Sequence, residues 1–119
     1  MYFFDTYAII ELIRGSLQYD RFKEMPIVTS VYNIGELYLI YLREEGKEIA
    51  DKWFSRFNCE LLEINPQIMV DSIYFRYIHR KRNISLADSI GYQLALKHNL
   101  KFLTGDKEFE NMPNVEFVK

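Results

Sequence analysis

Short, unbroken apolar runs alternate with stretches of helical periodicity along this chain, and that alternation narrows the fold more than any other feature. Strands are expected at Tyr2–Phe4, Ile27–Thr29, Glu60–Ile64, Lys101–Thr104 and Val115–Val118. Apolar runs of this length suit strands buried on both faces. Helical stretches lie between them. Thr6–Arg14 ends before Gly15, and Val31–Glu45 carries Val31, Ile34, Leu37, Tyr38, Tyr41 and Leu42 at helical spacing. Lys47–Phe57 shows Ile49, Ala50, Trp53, Phe54 and Phe57. Pro66–Arg80 opens with Asn65 as cap and Pro66 at the first helical position. Ser85–His98 sets Leu86, Ile90 and Leu94 on one face. Strand then helix, repeated, predicts an α/β fold with helices on both sides of a central, mainly parallel sheet of about five strands. A length of 119 residues suits a single domain over 1–119 with a core of its own.

In such sheets the functional site lies beyond the carboxyl ends of the strands. Both ends of this chain put an aspartate there. MYFFDT runs from Tyr2, Phe3 and Phe4 into Asp5 and Thr6, and KFLTGDKEF runs from Phe102 and Leu103 through Thr104 and Gly105 to Asp106. The two would meet if the first and fourth strands were neighbours. Two further acids belong to the same end of the sheet, Glu36 in TSVYNIGELY and Asp88 in ISLADSIGYQLAL. Each acid also has a local explanation. Asp5 suits the cap of the helix at Thr6, and Asp106 suits the cap of a short helix at Lys107–Glu110. Ser85 and Asp88 have capping-box spacing, and Glu36 reads as an exposed helix residue. Taken together, those explanations need separate accidents at one end of one sheet.

Clustered carboxylates raise one another's pKa and repel unless a cation joins them. Oxygen donors from several elements, without His or Cys, suit Mg²⁺ or Mn²⁺ rather than zinc. His79 and His98 fall at helix ends without metal-ligand spacing, and the lone Cys59 rules out an internal disulfide and reads as a small core residue. The formal net charge of −2 does not fit a strong, non-specific nucleic-acid binder, so any such contact is local. The one basic run, His79-Arg80-Lys81-Arg82, reads first as a solvated helix end and second as an RNA contact. No apolar run reaches the ~20 residues that span a bilayer. No basic leader precedes the first strand, so a cytoplasmic location without membrane contact is expected.

The apolar strand ending in Asp5-Thr6, the acid of NIGEL, the helix start SLADS and the segment TGDKEF together resemble a PIN-domain ribonuclease of the VapC toxin type. The resemblance spans nearly the whole chain. It implies a PIN-like three-layer α/β/α fold and a metal-dependent endoribonuclease that hydrolyses RNA phosphodiester bonds. It also implies that Asp5, Glu36, Asp88 and Asp106 hold one or two Mg²⁺ or Mn²⁺ ions, with Thr104 and Thr6 in support. Asn33, one turn before Glu36, is a weaker candidate to reach the substrate, beside Arg80, Lys81 and Arg82. Glu108 is not expected as a ligand. Such toxins act as homodimers and are held inactive by a cognate antitoxin protein. An RNA-processing nuclease and a catalytically silent binding module share the pattern, though a silent module would be expected to lack one of the acids. A phosphoacceptor signalling domain is disfavoured, because CELLEINP offers Glu60, Glu63 and Asn65 where it needs a central aspartate. A flap-endonuclease-like core would need long insertions. The many tyrosines and phenylalanines, among them Tyr32, Tyr38, Tyr41, Tyr74, Phe75, Tyr77 and Tyr92, read either as core or as an interface.

Overall fold

A computed structural model describes all residues, Met1–Lys119. Five strands and five helices alternate much as the periodicity predicts: β1 (Tyr2–Phe4), α1 (Thr6–Arg14), β2 (Val28–Thr29), α2 (Val31–Glu45), α3 (Lys47–Arg56), β3 (Glu60–Leu61), α4 (Pro66–Ile78), α5 (Leu86–Lys97), β4 (Lys101–Thr104) and β5 (Val115–Phe117). Two short 3₁₀ turns complete the chain, Leu17–Phe22 and Lys107–Phe109. The first has no counterpart in the sequence reading. It buries Tyr19 and Phe22, a single i, i+3 pair in a segment too short to show a repeating period.

All strand pairs are parallel. β1 pairs with β4 and β4 with β5, so the first and fourth strands are indeed neighbours. The expected five-stranded sheet is divided, however, with β2 and β3 forming a separate parallel pair. Where β2 runs beside β1, Thr29 Oγ1 donates to the Phe4 carbonyl at 2.8 Å, a side-chain bond in place of a backbone ladder. β3 is also not buried on both faces. It is an edge strand, with Glu60 and Leu61 exposed, held to β2 by Glu60 N to Ile27 O and Leu62 N to Thr29 O.

The strands alternate between two cores, as the two-residue period of a pleated strand requires. Phe3 and Phe102 face one side with Ile68, Phe75, Ile90 and Leu94 of α4 and α5. Phe4 and Leu103 face the other with Ala8, Ile9 and Leu37 of α1 and α2. The result is the three-layer α/β/α arrangement. Gly91 permits the close approach of α5 to the sheet: a Cβ there would lie 2.6 Å from the Phe3 ring. Of the aromatic side chains in doubt, Phe75 and Tyr92 are buried and Tyr32, Tyr74 and Tyr77 are exposed. Tyr38 and Tyr41 are half-buried, as is Cys59. No helix is long and apolar enough to cross a membrane.

Candidate active site

The four acids are supplied by four different elements. Asp5 directly follows β1, and Asp106 comes two residues after β4, the strand beside it. Glu36 is in α2, and Asp88 is in the first turn of α5.

Each local explanation of the aspartates also holds. Asp5 caps α1, with Oδ1 accepting from Ala8 N at 3.0 Å. Asp106 caps the Lys107–Phe109 turn, with Oδ1 accepting from Glu108 N at 3.0 Å. Ser85 and Asp88 form a reciprocal capping box: Ser85 Oγ accepts from Asp88 N, and Asp88 Oδ2 accepts from Ser85 N, both at 3.0 Å. Capping and ligation are compatible, because a carboxylate has two oxygens. In Asp88 and Asp106 the cap occupies one oxygen, fixes the side chain, and leaves the other oxygen without a protein partner.

Glu36 caps nothing, and it is not an exposed helix residue. It is half-buried and held from two sides. Thr6 Oγ1 donates to Oε1 at 2.6 Å, and Ser85 Oγ approaches Oε2 at 3.4 Å. Behind Thr6, Asn33 Nδ2 donates to Thr6 Oγ1 at 3.1 Å, and Ser30 Oγ donates to Asn33 Oδ1 at 2.6 Å. A hydroxyl has one proton, so the bond from Asn33 leaves the Thr6 proton for Glu36. Asn33, weighed above as a substrate contact, is wholly buried in this relay and orients Thr6. The roles of Ser30 and Ser85 toward Glu36 were not anticipated. Ser85 carried a signal, since it stands three residues before an acid, but that signal spoke only of capping.

Thr104 is buried at the end of β4, and its Oγ1 accepts from Asp106 N at 3.0 Å. Gly105 lets the chain turn here, because a Cβ would collide with the Val118 carbonyl and the Tyr7 ring. The basic run lies at and beyond the C-terminal end of α4. Arg80 and Arg82 donate to the carbonyls of Tyr77 and Glu108, and Lys81 is exposed.

Burial pushes the Asp5 carboxyl from its ordinary value up to about 8. The Thr104 hydroxyl and Ala8 amide oppose that rise, while the charges of Asp88 and Asp106 add to it. Burial raises Asp88 to about 6, with the Glu36 and Asp106 charges acting in the same direction. The four acids therefore share one electrostatic field. No lysine or arginine pairs with any of them, although four ion pairs form elsewhere on the surface. As the side chains stand, no three acids are gathered tightly enough to share one ion. The donor set is nevertheless all carboxyl oxygen and without a paired cation, which fits a hard divalent cation.

The PIN domain family model matches residues 2–115. Among solved structures, the chain is similar to VapC20 of Mycobacterium tuberculosis, a Sarcin-Ricin loop cleaving toxin. The two share 17% identity over 100% of both chains, with a TM-score of 0.79. It is also similar to a chain of a toxin-antitoxin complex from Klebsiella pneumoniae, at 21% identity over 98% of this chain and 96% of that one, with a TM-score of 0.70. A search of the curated proteins returns no match.

Proposed function

Because this chain belongs to the PIN domain family, we propose that it is a divalent-metal-dependent endoribonuclease, acting as the toxin of a toxin–antitoxin pair. The observation that carries the reading is that Asp5 and Asp106 follow neighbouring strands, Thr6 and Ser85 tie Glu36 to the segments of Asp5 and Asp88, and no cation pairs with any of the four. Asp5, Glu36, Asp88 and Asp106 would hold Mg²⁺ or Mn²⁺. Bound there, the ion supplies charge neutralisation at a phosphodiester and a lower pKa for the attacking water. The protein's own residues do the rest. Asp5 and Asp88 would have to give up their protons to hold the ion. Thr6 and Ser85 orient Glu36, and Thr104 sits between Asp5 and the Asp106 amide. The caps at Asp5, Asp88 and Asp106 fix three of the four carboxyls that would hold the ion.

The toxin role takes its support from the names of the structural neighbours. A cognate antitoxin and a second copy of the chain are the partners proposed. The exposed Val31, Tyr32 and Phe54 around the start of α2 and on α3 fit a protein contact.

The test is cleavage of a mixed RNA pool with Mg²⁺, Mn²⁺ or EDTA, comparing the wild type with Asp5→Asn and Asp88→Asn. Cleavage should require the metal and vanish in both variants. Equal cleavage by all three proteins would end this reading of the site.

A further inference from the structure

The positive charge that an RNA backbone needs is missing from the chain's overall balance, yet it is concentrated beside the acids. Between Asp71 and Asp88 the sequence has no acid and four cations, Arg76, Arg80, Lys81 and Arg82. The end of α4 and the turn after it gather Arg76, Arg80 and Arg82 around one open cavity of about 300 Å³, walled also by Ile73, Tyr77 and Ile84. Each guanidinium is tied to a backbone carbonyl. Arg76 Nε donates to Ile84 O at 3.0 Å, Arg80 Nη1 to Tyr77 O at 2.9 Å, and Arg82 Nη1 to Glu108 O at 2.8 Å. None of the three is paired with a carboxylate. A guanidinium carries five N–H donors in a rigid fork. One bond to the backbone orients that fork and leaves the other donors for an anion, and phosphate is among the anions that such forks bind bidentately.

Two walls of the cavity are tied to segments that carry the acids. Arg82 holds the carbonyl of Glu108, two residues past Asp106, and Ile84 precedes Ser85, whose hydroxyl approaches Glu36. Arg80 lies 4.6 Å from the centre of the Tyr77 ring, and Tyr77 and Tyr74 are 61% and 65% exposed. Cations that follow a backbone, set beside open aromatic rings, are the combination that holds single-stranded nucleic acid.

We propose that the cavity formed by Arg76, Arg80 and Arg82 is a phosphodiester subsite that positions the RNA strand alongside the four acids. The proposal rests on the ribonuclease reading above and adds where the strand runs. The arginines position substrate and take no part in bond cleavage.

The test uses the double variant Arg80→Gln/Arg82→Gln, which keeps Arg76 and its bond to Ile84, with circular dichroism to check the fold. On a single-stranded RNA with Mn²⁺, KM should rise about tenfold with kcat within about twofold, the signature of lost ground-state binding. In EDTA, RNA affinity should fall by a similar factor and the salt slope by about 1.4, about 0.7 for each single-strand phosphate contact removed. Independently of RNA, pyrophosphate added to the metal-free wild type should shift the Nε–Hε signals of Arg76, Arg80 and Arg82 before those of Arg14, Arg43 and Arg56. A folded double variant with unchanged KM and affinity would overturn the subsite while leaving the nuclease intact. Absence of all metal-dependent cleavage would instead sink the nuclease reading. A pyrophosphate response without RNA binding, or an acidic peptide that competes where RNA does not, would overturn the proposal in favour of another anionic ligand.

Discussion

Asp5 joins two demands that pull on one side chain. It caps α1, and it is a buried acid facing others of its kind. In the metal-free folded chain Asp5 and Asp88 keep protons up to about pH 8 and about pH 6, against an ordinary value of 3.8. Between those limits the folded state binds more protons than the unfolded one, so stability falls as pH rises. The contribution is fully present below about pH 4 and is lost as pH climbs through 6 and then 8. Asp5→Asn keeps a capping side chain and removes the charge. In EDTA it should stabilise the protein at pH 8 by about 1–3 kcal/mol, the usual scale for a poorly satisfied buried group, and far less at pH 5. Denaturant unfolding at both pH values checks this; an equal effect at both would show that the buried charge is not the source. At this scale the sequence was informative about the aspartates, because a polar residue ending an apolar run stands out. It was less informative about the relay. Ser30, Asn33 and Thr6 are ordinary helix-start residues, and nothing in their spacing told which way their hydrogens point.

Element boundaries were legible where packing and local chemistry agree. α1, α2 and β4 fall where the periodicity put them. The strands were overdrawn where they meet solvent: β3 shrinks to Glu60–Leu61 because an edge strand needs only the bonds its one neighbour offers. The division of the sheet, bridged at β1 and β2 by the Thr29 hydroxyl, is a matter of backbone pairing that no hydrophobic pattern encodes. At the turn after β4, Gly105 lies against the Val118 carbonyl and the Tyr7 ring. Gly105→Ala should therefore cost about 1–3 kcal/mol through overpacking, and it should displace Asp106 as well. Thermal unfolding and Mn²⁺ affinity, measured together, check both effects. Loss of stability with unchanged Mn²⁺ affinity would separate the turn from the site.

Across the whole molecule, binding to the folded state alone raises stability by mass action. Mn²⁺ at about a hundred times its dissociation constant should add about 2.7 kcal/mol and raise the wild-type unfolding midpoint by several degrees, while Asp5→Asn should respond little. Calorimetric melting with and without EDTA measures it, and a wild type indifferent to Mn²⁺ would remove the acids from any metal role. The pairing of β1 with β4 has one more consequence. Tyr2 lies beside Lys101 and Phe4 beside Leu103, strands from opposite ends of the chain. A ribosome must join every residue from Asp5 to Asp106 before the set of acids is complete, and β1 has no ladder partner until β4 follows it out. A chain stopped before β4 carries Asp5, Glu36 and Asp88 but lacks the strand that sets Asp106 beside Asp5.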